Sequence, residues 1–193
     1  MIDSADNILI EKILRGNLAA FTDLVDKYKS FIFTLALRIL DNREDAEEVS
    51  QDVFLKVFKS LQSFRKQAKF STWLYKITYN TAISRLRKQK GEAEVVELNI
   101  EHFENIESEN VKNQVDLLQR EQQKMYIEKA IKKLSEDDRV VISLFYLGEM
   151  SVKEIAKIIA RSQNYVKVKL HRARKMIYKE LYDLLKSELK EII

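Results

Sequence analysis

The amino-acid sequence predicts an all-α protein: two small helical domains joined by an acidic linker. Three observations carry that expectation. Pro is absent and Gly occurs only at 16, 91 and 148 in 193 residues, while Lys, Glu, Leu and Ile abound. Apolar residues recur at the spacing of helices. Charge comes in blocks, with 16 basic and 11 acidic residues in 1–90, 2 and 9 in 91–122, and 16 and 10 in 123–193. Two basic blocks around an acidic connector suggest domains at 1–90 and 123–193 that share a polyanionic partner, with 91–122 as the linker.

The first block reads as helices over 4–15, 17–40, 43–61 and 71–90. In the second of these, Phe21, Leu24, Val25, Tyr28, Phe31, Ile32, Leu35 and Ile39 keep helical spacing. Asp41 and Asn42 offer an N-cap to the third helix, where Glu44, Asp45, Glu47 and Glu48 suit the positive end of the dipole. Ser63 to Phe70 reads as a loop, and Ser71 or Thr72 can cap the last helix.

From Val53 through Gly91 there is no Asp or Glu, against ten Lys or Arg and seven aromatics, Phe54, Phe58, Phe64, Phe70, Trp73, Tyr75 and Tyr79. Cations interleaved with rings suit a single nucleic-acid strand, whose backbone follows charge and whose bases stack. About half of the rings are expected in the core.

The linker is weakly periodic, with a helix expected after about 112. The second block then repeats one device. Ser135 and Ser151 each open a capping box, Gly148 suits the residue just past a helix end, and Ser162 caps a longer helix. Two caps eleven residues apart around a short turn describe a helix-turn-helix. In the last helix Val166, Leu170, Ala173, Ile177 and Leu181 form an inward stripe. That leaves Lys167, Val168, His171, Arg172 and Lys175 on outer faces, as a recognition helix in a major groove requires. The turn around Ala160 and Arg161 lacks Gly, so a left-handed residue there costs on the order of 1 kcal/mol.

Composition excludes several classes. Apolar residues at 46% and charged residues at 33% are an ordinary balance that can bury a core. No apolar run approaches the roughly 18 residues of a membrane span. The N-terminal stretch carries acids before its apolar residues, so no signal peptide is expected. The absence of Cys fits a reducing compartment, and the cytoplasm is the expected location. His102 and His171 are too far apart to assemble a metal site by the usual spacings. No phosphate loop, dinucleotide fingerprint or nucleophile–base pair is present, so neither catalysis nor a cofactor is expected.

Three stretches, "DAEEVSQDVFLKVFKSLQSF", "FRKQAKFSTWLYKITYNTAISRLRK" and "LSEDDRVVISLFYLGEMSVKEIAKIIARSQNYVKVKLHRARKMI", together resemble the bacterial extracytoplasmic-function sigma factors of the sigma-70 class. The resemblance implies a transcription initiation factor that binds core RNA polymerase, recognises promoter DNA at −10 and −35 and helps to melt it. Such factors are commonly held by an anti-sigma partner. The resemblance implies that Asp45, Glu48, Gln51, Asp52 and Leu55 bind the polymerase clamp. Arg65, Lys66, Gln67, Ala68, Lys69, Phe70 and Ser71 would read a base flipped from the −10 element. Trp73, Tyr75, Lys76, Asn80, Arg85, Arg87 and Lys88 would support melting and hold the strand. Lys167, Val168, His171 and Arg172 would meet the −35 element, with Lys169, Arg174 and Lys175 near phosphates. The acidic linker could thread the RNA channel of the polymerase.

Three rival readings remain open on the residues alone, one of them a purely structural helical adaptor, which would show no dependence on Lys167 or Arg172. An autonomous helix-turn-helix regulator explains the second block but leaves the acid-free aromatic segment idle. A helical nuclease would need a carboxylate cluster for metal, for which Glu44 to Asp52 is the nearest stretch.

Overall fold

The computed structural model describes the backbone of residues 4–91 and 117–192, and the side chains of 5–91, 123–184 and 186. Most of the expected linker, including His102 and the expected helix start after 112, lies outside the described residues. The described elements are helical: α1 (Ser4–Leu14), α2 (Leu18–Leu40), α3 (Arg43–Ser60), a 3-10 turn (Leu61–Ser63), α4 (Phe70–Gln89), α5 (Leu117–Lys132), α6 (Glu136–Tyr146), α7 (Val152–Ile158) and α8 (Gln163–Ile192). Among the described residues no helix is long and apolar enough to cross a membrane.

Local chemistry explains most boundaries. The Asn17 side chain accepts from Ala20 N–H at 3.2 Å and opens α2. Asp41 closes α2 in a left-handed conformation (φ 52°), and Asn42 opens α3 by accepting from Asp45 N–H at 3.0 Å. Ser135 starts α6, and Ser151 with Glu154 forms a complete capping box on α7.

Two expectations about boundaries are corrected. Neither Ser71 nor Thr72 caps α4, which begins at Phe70 after Lys69 with no side-chain cap. Packing decides this start, because Phe70 is buried against Tyr28, Phe64 and Trp73. Gly148 is not the left-handed residue past α6; Glu149 is, at φ 52°. The glycine serves close approach instead. A Cβ at 148 would sit 2.8 Å from the Leu144 carbonyl oxygen and 3.1 Å from the Phe31 ring.

That Phe31 contact crosses from one block to the other, as the core does. In the first block α2 packs on α1, α3 and α4, and in the second α8 packs on α5, α6 and α7. The blocks then dock through α2 on α6 and α4 on α7, so one apolar cluster runs from Ile10 to Ala173. Polar ties surround the joint. Arg38 donates to Ser143 Oγ and to Glu128 Oε1 (2.8 Å), Thr72 Oγ1 donates to Glu154 Oε1 at 3.1 Å, and Arg139 pairs with Asp41 at 3.4 Å.

Candidate nucleic-acid interface

The second block presents its cations on a built frame. Ala156 accepts from Arg161 N–H at 2.9 Å across the turn, and Ser162 Oγ accepts from Tyr165 N–H at 3.1 Å to start α8. Ala160 takes the left-handed conformation (φ 52°), the strain foreseen for this glycine-free turn. Val166, Leu170 and Ala173 are buried, with Ile177 and Leu181 half-buried along the same stripe. Lys167, Val168, His171, Arg172 and Lys175 are exposed on the opposite side.

Lys169 and Arg174 are placed differently from that outer set. Lys169 is largely buried and pairs with Asp138 at 3.4 Å and Asp137 at 3.5 Å. Burial lowers its pKa, but Asp138, Tyr165 and Asp137 outweigh this and leave it raised, so the ammonium stays charged. Tyr165 donates to Asp137, which ties the first turn of α8 to α6. The Arg174 guanidinium lies over Phe145 and Tyr146 (5.1 and 5.6 Å to the centroids), and its Nε donates to Tyr146 Oη at 2.9 Å. Two of the three cations of the expected phosphate set thus make contacts within the domain.

In the first block Gln51, Asp52 and Leu55 lie exposed on one face of α3, beside the exposed Phe58. Asp45 and Glu48, a turn earlier, are taken up by Arg85 of α4. In the loop before α4, Arg65 and Gln67 are exposed, whereas Ala68 is buried. Lys66 adopts φ 57° and pairs with Glu11 at 2.7 Å, which holds the Glu11 carboxyl below its ordinary pKa.

The aromatic segment needs the largest correction. Phe70, Trp73 and Tyr75, expected to face the strand, are buried in the core. Phe64 stacks at 5.3 Å from Trp73 and Phe31 at 4.1 Å from Tyr75. The reason is that α4 is covered by α2 and α3 on one side and by α7 on another, so apolar residues are needed nearly all round it. Burial raises the Tyr75 pKa, with Asp6 and Glu149 adding to the rise. Ser71, Lys76, Asn80 and Arg87 stay half-exposed and Lys88 exposed, so charge and hydrogen-bonding groups of α4 remain at the surface although its rings do not.

Residues 24–92 match the sigma-70 region 2 family and residues 124–177 match sigma-70 region 4. The chain is 35% identical over 180 residues to the extracytoplasmic-function RNA polymerase sigma factor SigW of Bacillus subtilis (strain 168), covering 91% of this chain and 96% of that protein. It belongs to the extracytoplasmic-function sigma factors of the sigma-70 family. The fold is shared with CnrH in its complex with the cytosolic domain of CnrY (TM-score 0.61, 23% identity, 95% of this chain and 98% of that one). It is shared also with the sigma factor RpoE in complex with the anti-sigma factor NepR from Bartonella quintana (TM-score 0.59, 22% identity, 83% and 97%).

This sigma factor is therefore a transcription initiation factor for RNA polymerase, and not an enzyme. Among the described residues no group of three or more His, Cys, Asp or Glu could hold a metal ion. Sequence reasoning missed the joint made by Arg38, Ser143 and Glu128. Its signal was one charge inside the apolar run from Phe31 to Leu40, and nothing local named the partners.

Proposed function

We propose that this sigma factor binds core RNA polymerase, the melted −10 strand and duplex −35 DNA through separate surfaces of its two domains, 1–90 and 123–193. The observation that carries this reading is the outer face of α8. A helix-turn-helix capped at both helices presents Lys167, His171, Arg172 and Lys175 with no acid between Gln163 and Lys179. Arg172 supplies a fork that suits guanine in the major groove, and the lysines supply charge for phosphate. On α3, Gln51, Asp52 and the exposed Leu55 offer polymerase a polar and apolar patch, with Asp45 and Glu48 completing it. Arg65, Gln67, Lys69 and Ser71 frame the −10 base, while Lys76, Asn80, Arg85, Arg87 and Lys88 follow the strand.

The protein works in the cytoplasm, where polymerase and promoter are, and an anti-sigma partner holds it in reserve. The RpoE–NepR complex, which shares the fold, supports that second element.

The test is transcription by purified bacterial core polymerase on a pooled promoter library, with and without the protein. A sharp subset of templates, lost with Arg172→Ala and with Lys88→Ala, is the expected result. Duplex binding by the protein alone, with no template responding to polymerase, would replace this reading with an autonomous regulator.

A further inference from the structure

Two of the proposed surfaces are tied to each other by one side chain. Asp45 and Glu48 lie a turn apart on α3, in the set assigned to polymerase, and Arg85 lies on α4, in the set assigned to the strand. Arg85 Nε and Nη2 both donate to Asp45 Oδ1, at 3.0 and 2.8 Å. Nη1 donates to Glu48 Oε1 at 3.1 Å, and Nη2 also reaches Glu48 Oε2. Gln89, one turn further along α4, donates to the remaining oxygen of Asp45 at 2.7 Å. The Arg85 side chain keeps 34% of its surface, that of Asp45 16% and that of Glu48 56%, so the cluster sits at the surface, within reach of macromolecules.

A guanidinium recognises carboxylate and phosphate with the same planar fork. While both carboxylates of α3 occupy the fork of Arg85, little of it is left for a strand phosphate. Anything that engages Asp45 and Glu48 through its own cations must loosen that hold.

We propose that Arg85 is a positioning residue that couples the two partners: Asp45 and Glu48 sequester it in the free protein, and a basic polymerase surface that takes these carboxylates releases it to a phosphate of the single strand. The proposal rests on the assignment of α3 to polymerase and α4 to the strand. Such coupling keeps the free protein from occupying single strands unproductively. It is also reciprocal, so single-stranded DNA raises the affinity for polymerase by the factor by which polymerase raises that for DNA.

The experiment is a thermodynamic cycle on the full chain without polymerase. Binding of a fluorescent single-stranded oligonucleotide is followed by anisotropy across a salt series for wild type, R85Q, D45N/E48Q and D45N/E48Q/R85Q. R85Q is expected to lower the affinity by a smaller factor in wild type than in the D45N/E48Q background. D45N/E48Q is expected to bind more tightly and to steepen the salt dependence by about 0.7, the increment of one further phosphate contact on a single strand. Adding R85Q to that variant should remove the increment. E48Q alone, at the more exposed carboxylate, should move the same way by less, and it serves if the double variant folds poorly.

An equal effect of R85Q in both backgrounds would overturn the coupling, because the gain would then be the general loss of negative charge. A second arm adds core polymerase, where R85Q should weaken strand capture by a larger factor than in the free protein. The promoter-library assay separates the two levels. Normal promoter-directed transcription beside an additive cycle sinks the coupling alone, whereas no transcription at all with wild type sinks the surface assignment and the coupling with it.

Discussion

The Arg38 guanidinium donates to the hydroxyl of Ser143, 105 positions further along the chain. Both residues are buried, and the second side of the guanidinium is closed by Glu128 at 2.8 Å. A buried charge is tolerable only when paired and hydrogen-bonded, and here the pairing is supplied by the other half of the molecule. The contact joins α2 to α5 and α6, and Thr72 with Glu154 joins α4 to α7. The helix-turn-helix thereby rests against α2 and α4.

Ser143→Ala should therefore destabilise the protein by about 1–3 kcal/mol, since Arg38 then keeps a buried donor unmet. Glu128→Gln should cost less, about 1 kcal/mol at most, because Glu128 is nearly half exposed and water replaces it. Urea unfolding of the two variants should rank them in that order.

Gly148→Ala should cost about 1–3 kcal/mol, the ordinary penalty for an added methyl in a filled space. The Cβ would meet a backbone oxygen at 2.8 Å, which cannot rotate away. Ala160→Gly should do the reverse. It relieves a left-handed alanine at φ 52°, and after the entropy of glycine a net gain of up to about 1 kcal/mol remains. Thermal unfolding monitored by circular dichroism reads both changes.

Trp73→Ala should lose roughly 3–5 kcal/mol of stability, as removal of a buried large ring does. It would abolish transcription by unfolding the protein, and so it is a poor probe of melting. Lys88→Ala, on an exposed side chain, should stay within about 0.5 kcal/mol of wild type and still reduce open-complex formation. Unfolding curves beside permanganate footprinting of the melted bases would separate the two.

On α8, Lys167→Ala should lower the salt slope of −35 duplex binding by about 1, and Arg172→Ala should cost about 1–3 kcal/mol and relax specificity at one base pair. Lys169→Ala should leave the salt slope unchanged and lower the unfolding midpoint, since its ammonium faces Asp137 and Asp138. A fall in slope with Lys169→Ala would return that residue to the phosphate set.

Asp45 carries a depressed pKa because Arg85, and then Gln89, hydrogen-bond its carboxylate. A depressed carboxylate contributes stability that is present above its unfolded value of about 3.9 and is lost as pH falls through its folded value. The Asp45–Arg85 contact should thus persist through neutral pH and give way only below about pH 4. Carbon-detected NMR titration should place the Asp45 midpoint below 3.9, and Arg85→Gln should move it upward.

Much of this was legible because it is local. The caps at Asn42, Ser135, Ser151 and Ser162 each depend on an oxygen and an N–H three positions apart. The α8 stripe depends only on helical period, and it separated the buried Val166, Leu170 and Ala173 from the exposed Lys167, His171 and Arg172. The cost of a left-handed residue in the glycine-free turn was legible too, whereas the structure decides that Ala160 and not Arg161 bears it.

The start of α4 was not legible, and neither was the fate of its rings. A cation-rich, acid-free helix with four aromatics reads equally as a strand-binding face or as a helix covered on several sides. The cover of α2 and α3 on one side and of α7, from eighty positions away, on another decides for the core at Phe70, Trp73 and Tyr75. The same holds for Lys169, whose carboxylates sit on another helix, and for Gly148, whose constraint includes a ring of α2.

The sequence by itself determined the all-helical class, the capped helix-turn-helix and the cations of its outer face, because each rests on residues within about one helical turn of one another. The tertiary structure alone decided which rings are core, which cations are spent on carboxylates and how the two halves close on Arg38. Those outcomes depend on surfaces brought together from distant parts of the chain, and burial reassigns a side chain only once its cover is in place.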